Sequence, residues 1–386
     1  MVIVHKWQMS QLFTNDKSQI CICGNDGNCE QLRFVNNEVI GKERQMKLKA
    51  LVTAEVIREK LQERFAEQIE FKYAGYYLDH EVMSHAELVE TVKGQDILIC
   101  EYDTVSKDVI DAADKLRLII CCRGGVKSVI DLDAAREKGI VVCNNAGRNA
   151  GAVTDLTMGY ILDLTRNITM TSNLIHNRQL VGEVSTKPGE YKDTVWGLNN
   201  DSPFIKYRGK SINHMTLGIV GFGNAGRMLA TKAAAFGMRI LVCSPHLDFT
   251  NAPSSVTPVS LAELLARADV VSVNCSLNSN TRDLFTKKEF LAMKEGSYFI
   301  NTARGEIVVE EDLVEVLKSG HLAGAALDVT RKEPIPADSP LVGCPNLLLT
   351  PHIGGSAYDV QVCGTEMVAA SLNAYLDGLT PPHRVA

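Results

Sequence analysis

Three glycines, Gly221, Gly223 and Gly226, spell G-x-G-x-x-G in the segment GFGNAGRMLATKAAAFG. Alone the string is weak, but its context is strong. It follows the apolar run MTLGIVG (215–221) and opens an Ala- and Leu-rich helical pattern. In that setting Gly221 permits a tight turn, Gly223 lets backbone approach a pyrophosphate, and Gly226 lets helix pack on strand. The helix N-terminus adds unpaired N–H groups and a positive dipole end, which favour an anion. A dinucleotide is the predicted ligand. An acidic residue about 20 positions on would read the adenosine ribose of NAD. Here the strand end reads LVCSPHLD, and Ser244 stands 23 residues after Gly221. Ser244 and His246 suit either cofactor, and no arginine beside them favours a 2′-phosphate. The reading is NAD, with NADP left open.

The elements that position this loop are legible in the spacing of apolar runs. From Lys47, short β-rich runs alternate with helical patterns. Strands are predicted at 48–54, 96–102, 117–123 and 139–144, then at 215–221, 238–243, 269–275, 297–302, 322–329 and 346–350. Continuous apolar strands between helices imply parallel sheets covered on both faces. Residues 151–177 read as one long helical pattern, and 356–378 as an amphipathic helix ended by Gly378. Residues 178–209, with Pro188, Pro203 and Trp196, read as a long connection, arm or interface.

With 386 residues, two domains of roughly 100–200 residues are expected. The fold class is α/β. The predicted division is an N-terminal extension (1–45), a first domain (46–149 plus 352–386) and a dinucleotide-binding domain (150–351). Hydrophobic residues at 45% and charged residues at 22% fit a soluble globular protein. A net charge of -6 leaves no basic footprint for nucleic acid. No apolar run approaches the roughly 18 residues of a membrane helix, and the start shows no signal-peptide pattern. Of 11 cysteines, Cys121, Cys122, Cys143 and Cys243 sit in apolar runs. They read as buried thiols of a reducing, cytoplasmic setting. Cys21, Cys23 and Cys29 lack a fourth regular ligand for zinc, so that segment is expected to be a hairpin turning at GNDGN.

The later motifs carry a resemblance. NTARGEIVVEEDLVEVL (301–317), AALDVTRKEP (325–334), TPHIGGSA (350–357) and RGGVKSVIDLDAAREKGIVVCNNAGRNAGAVTD (123–155) resemble the signatures of the D-isomer-specific 2-hydroxyacid dehydrogenases. The similarity runs from about Lys47 to the end. It implies two Rossmann-like domains, flavodoxin-like for substrate and doubly wound for nucleotide, with the active site in the cleft between them. It also implies a homodimer and transfer of hydride between a nicotinamide cofactor and a D-2-hydroxy or 2-keto acid.

By that resemblance His352 is the acid/base, Glu333 its partner and Arg304 the substrate clamp. The assignments suit the chemistry. Imidazole titrates near pH 6.5, close to working pH, and so can take the hydroxyl proton. A carboxylate orients the ring and stabilises its cation. A guanidinium offers a planar fork to a carboxylate, which lysine does not. The resemblance also implies that backbone N–H groups of Gly124, Gly125 and Val126 bind the substrate carboxylate. Asn224 and Ala225 join the pyrophosphate loop, and Cys275, Ser276 and Thr281 belong to the cofactor site with Ser244. Thr302, Ala303, Asp328, Gly354 and Gly355 are placed around the nicotinamide.

Two departures stand out. Ser276 replaces the family's usual proline, and Thr154-Asp155 replaces Ala-Glu. Other readings on the same scaffold are a phosphoglycerate-type or formate dehydrogenase, or an NAD-sensing, corepressor-like binding protein. Glu101 and Asp103 would disfavour a phosphorylated substrate if they lined the pocket.

Overall fold

The structure is a computed structural model. It describes the strands 19–23, 29–35 and 38–40, and residues 47–181, 202–245, 247, 250 and 253–386. Two parallel sheets dominate it. In the first, β4 (Leu48–Val52), β5 (Ile69–Tyr73), β6 (Ile97–Cys100), β7 (Leu118–Cys121) and β8 (Val141–Asn144) run in the order β5-β4-β6-β7-β8. The second holds β9 (Thr216–Val220), β10 (Arg239–Cys243), β11 (Thr257–Pro258), β12 (Val270–Val273), β13 (Tyr298–Asn301), β14 (Gly324–Leu327) and β15 (Leu347–Leu349). Its order is β11-β10-β9-β12-β13-β14-β15.

The central strands are mostly apolar because helices cover both faces. β6, β7, β9, β12, β13 and β14 are buried at every residue. β5 was not predicted. It is an edge strand with alternating burial, so IEFKY never forms an apolar run. Phe285, Phe290 and Phe299 lie at the centre of the second domain's core, with ring centroids of Phe299 at 4.9 and 5.1 Å from the other two. Full burial of such a side chain contributes about 1.5–3 kcal/mol.

The long pattern over 151–177 is broken rather than continuous. Helices Ala150–Arg166 and Ile168–His176 meet at Asn167, whose φ is +57°. Asp163 drives the break by accepting from both the backbone N and the Oγ1 of Thr169. Asn167 also donates to Tyr207 O at 3.2 Å. Asparagine tolerates this left-handed conformation better than most residues.

The strands β1 (Gln19–Cys23), β2 (Cys29–Val35) and β3 (Glu38–Ile40) form a small antiparallel sheet. Cys23 pairs with Cys29 across the GNDGN segment, whose own residues lie outside the described ones. The extension thus has a third strand beyond the expected hairpin. The C-terminal helix Tyr358–Leu376 places Val368, Ala369 and Leu372 in the core beneath β4, β6 and β7. The last residues add a short antiparallel edge to β8. Asn144 N donates to His383 O at 3.1 Å, and Val385 N donates to Val142 O at 2.8 Å. No helix among the described residues is long and apolar enough to cross a membrane.

Candidate active site

The second sheet reverses its winding at β9, where open α/β sheets bind ligands beyond their strand ends. The glycine turn sits at that point. Gly221 has φ +98°, and a Cβ there would stand 2.7 Å from the backbone of Cys275. At Gly226 a Cβ would stand 2.2 Å from Gly221 O. Both glycines are therefore demanded by the chain's own packing. Gly223 differs: a Cβ there meets nothing within 4 Å. It caps the helix Asn224–Ala235, and no side chain bonds to that helix start. Ala225 follows in the same first turn. The open space and free amides fit a pyrophosphate.

Asn224 faces the other domain. Its Nδ2 donates to Ala146 O at 3.1 Å. Ser244 directly follows β10 and is half-buried, and its carbonyl accepts from Leu247 N at 3.2 Å. His246 lies outside the described residues. Beyond β12, Cys275 packs against Gly221, and burial pushes its thiol up to about 11. Thr281 Oγ1 donates to Ser276 O at 2.7 Å and accepts from Asn278 N at 2.8 Å. Ser276 therefore keeps the turn closed through its carbonyl where a proline is usual.

Arg304, Glu333 and His352 follow three consecutive neighbours of the sheet, β13, β14 and β15. Asn301 shapes the first loop, accepting from Ala303 N at 3.0 Å and donating to Arg304 O at 2.8 Å. Among the described residues the Arg304 side chain bonds only its neighbour's carbonyl, Ala303 O at 2.6 Å, and it is exposed. Thr302 Oγ1 lies 3.2 Å from Thr157 Oγ1 on the helix Ala150–Arg166. Gly305 brings the first loop against the second, since a Cβ there would stand 2.1 Å from the carbonyl carbon of Thr330. Arg331 pins this second loop. Its Nε donates to Val308 O at 2.6 Å, its backbone N donates to Glu310 Oε1 at 2.6 Å, and its guanidinium pairs with Asp283.

His352 Nδ1 stands 2.7 Å from Glu333 Oε2. Its backbone is left-handed, with φ +56°, and Asp328 holds it there. His352 N donates to Asp328 O at 2.8 Å. The Asp328 carboxylate is 2% exposed. Its Oδ1 accepts from Thr350 Oγ1 at 2.5 Å and Ile353 N at 2.9 Å, and its Oδ2 accepts from Gly354 N at 2.7 Å. Tyr160 OH completes the chain at Thr350 Oγ1. Asp328 is thus an anchor of the histidine turn, a role the sequence did not reveal.

The other predicted site residues follow strand ends of the first sheet. Gly124 and Gly125 are exposed at the end of β7, and a Cβ at Gly125 would meet nothing within 4 Å. The Val126 side chain lies in the core, so only its amide remains for a ligand. Glu101 and Asp103 are both buried. Glu101 pairs with Arg148, and Asp103 Oδ2 accepts from Thr53 Oγ1 at 2.5 Å. Neither is a free surface carboxylate. Arg148 is the missed residue: its neighbour Asn149 packs on Gly355, with Nδ2 2.8 Å from where a Cβ would sit. The departures Thr154 and Asp155 find partners on helices. Thr154 Oγ1 bonds its own helix at Ala150 O, and Asp155 pairs with Lys232 at 2.6 Å.

Residues 158–354 match the NAD-binding domain of the D-isomer specific 2-hydroxyacid dehydrogenases. The chain is 36% and 33% identical to two relatives whose names carry D-3-phosphoglycerate dehydrogenase, from Schizosaccharomyces pombe and Methanocaldococcus jannaschii. The matches cover 76% and 77% of this chain but only 61% and 52% of those relatives, so the chain spans less than two thirds of their length. It is 32% identical to a glyoxylate reductase of Thermofilum pendens, over 78% of this chain and 84% of that protein. The solved structure of the TT0316 protein from Thermus thermophilus superposes with a TM-score of 0.69 at 33% identity, covering 88% of this chain and all of that one. Two parallel sheets, a glycine turn at the switch point and this match over half the chain place the protein in the D-isomer specific 2-hydroxyacid dehydrogenase family.

Proposed function

We propose that the protein interconverts a D-2-hydroxy acid and its 2-keto acid with NAD as cofactor, NADP remaining a second candidate. The observation that carries this is the meeting of Glu333 and His352 at 2.7 Å, on loops beside Arg304 and beyond the glycine turn. The turn Gly221–Gly226 and the first amides of its helix hold the pyrophosphate. Ser244 and the Cys275, Ser276 and Thr281 loop line the adenosine side. Thr302, Ala303, Asp328, Gly354 and Gly355 surround the nicotinamide, which when bound supplies or accepts the hydride at C2.

The protein's own residues do the rest. Arg304 and the amides of Gly124, Gly125 and Val126 hold the substrate carboxylate. His352 gives a proton to the forming hydroxyl in reduction and takes it back in oxidation. Glu333 fixes the ring through Nδ1, which leaves Nε2 to face the substrate oxygen. A screen of 2-keto acids with NADH and NADPH, followed by the loss of reduced-cofactor absorbance, tests the reading; no consumption of either cofactor contradicts it.

The assembly we infer is a homodimer. Helix Ile168–His176 buries none of its residues and exposes Ile168, Met170 and Ile175. Phe204 is 69% exposed beyond it. Such an apolar face suits a second copy. Light scattering at the monomer mass would contradict it. Buried free thiols at Cys100, Cys121, Cys122 and Cys143 support a cytoplasmic setting.

A further inference from the structure

We propose that Tyr102, Tyr76 and Arg123 form the wall that receives the C2 substituent, and that the substrate is a 2-keto acid bearing an aromatic ring. This rests on the reaction proposed above. β6 and β7 end side by side, with Cys100 opposite Cys121. Tyr102 follows the first and Arg123 the second. Arg123 directly precedes Gly124 and Gly125, the loop given to the substrate carboxylate. The Arg123 guanidinium lies over the Tyr102 ring at 5.3 Å from its centroid. The Tyr76 ring lies 4.5 Å from Tyr102 at 58°. Tyr102 nevertheless remains 38% exposed. An exposed, braced aromatic edge next to a carboxylate-binding loop matches an aryl group carried two or three bonds from that carboxylate.

The loop that carries Tyr102 is tied, through its neighbours, to the loop that carries His352. Its neighbour Glu101 pairs with Arg148, and Asn149 packs on Gly355, three residues after His352. Arg148 is committed to Glu101, and Asp103 is buried against Thr53, so neither adds charge to this edge. Arg123 presents its face to the Tyr102 ring, and an uncharged ring would continue that stack. The Tyr102 hydroxyl itself stays neutral, because burial pushes it up to about 12.

The test compares kcat/KM for phenylpyruvate, glyoxylate and 3-phosphohydroxypyruvate in the wild-type chain and in Tyr102→Ala and Tyr102→Phe. Wild-type protein should prefer phenylpyruvate over both others by about tenfold or more. Tyr102→Ala should lower the phenylpyruvate-to-glyoxylate ratio by about tenfold, mainly through KM, while Tyr102→Phe keeps it. A wild-type preference for glyoxylate or the phosphorylated acid overturns the inference, as does a ratio that Tyr102→Ala leaves unmoved. If Tyr102→Ala does not fold, the wild-type panel and Tyr102→Phe decide. Turnover of glyoxylate without aryl preference sinks this inference alone; no turnover of any keto acid sinks the reaction beneath it.

Discussion

Glu333 Oε2 and His352 Nδ1 meet at 2.7 Å although they lie 19 residues apart on separate loops. The pair exists because β14 and β15 are neighbours and because Asp328 forces the His352 backbone into a left-handed turn. Both side chains stay partly exposed, so their contact is poised for a ligand rather than for stability. Glu333→Gln should therefore lower kcat by about ten- to a hundredfold. It should leave the melting temperature unchanged. A loss of stability equal to the loss of rate would assign the pair to folding instead.

The three glycines of the turn separate by cause. Gly226→Ala drives a Cβ into Gly221 O and should destabilise the second domain. Gly223→Ala meets no protein atom within 4 Å, so it should fold with an unchanged melting temperature. Its methyl group projects instead toward the space given to the pyrophosphate. NADH affinity, read by tryptophan fluorescence or calorimetry, should fall about tenfold or more for Gly223→Ala. Equal NADH affinity in the wild type and Gly223→Ala would place the dinucleotide elsewhere.

Asp328 holds the histidine turn with its buried carboxylate. Asp328→Ala leaves the N–H groups of Ile353 and Gly354 without their acceptor. Gly354 N is the buried donor of the two, and an orphaned buried donor costs about 1–3 kcal/mol, the loss expected in urea unfolding. Turnover should fall further than stability alone explains, because His352 N loses its preset turn. A variant with wild-type stability would contradict the anchoring role.

The C-terminal helix is clasped to the first domain by Glu366, which pairs with Arg64 at 2.7 Å and Lys60 at 3.0 Å. The hydrogen bond from Arg64, then that from Lys60, holds the Glu366 carboxyl down to about 2. A depressed folded-state value means the stabilisation is present above the unfolded value, near 4.3. It is lost as pH falls from there through about 2. The melting temperature of Glu366→Gln should lie below that of the wild type at pH 7, and the two should converge by pH 2. A gap that persists at pH 2 would show that the ion pairs are not its source.

Much of this was legible because the parallel sheets write themselves as apolar runs. β4, β6–β10 and β12–β15 all fall within predicted segments. What the runs could not show was set by tertiary contacts. β5 alternates because one of its faces meets solvent, and the helix break at Asn167 is held in part by a bond to Tyr207, forty residues away. The C-terminal residues pair with β8, a contact with no local signature. In the proposed site, the motifs pointed to Arg304, Glu333 and His352. They did not show that Arg148 neutralises Glu101, or that Tyr160, through Thr350, backs the Asp328 carboxylate. Those partners are distant in sequence and become visible only when the strands are laid side by side.

The most direct test is the rate of NADH oxidation with a reducible 2-keto acid by wild-type protein and by His352→Ala, both shown folded by circular dichroism. Loss of the proton donor should lower kcat by about 10² to 10⁴ with NADH affinity unchanged. Turnover by His352→Ala equal to wild type would remove His352 from the chemistry.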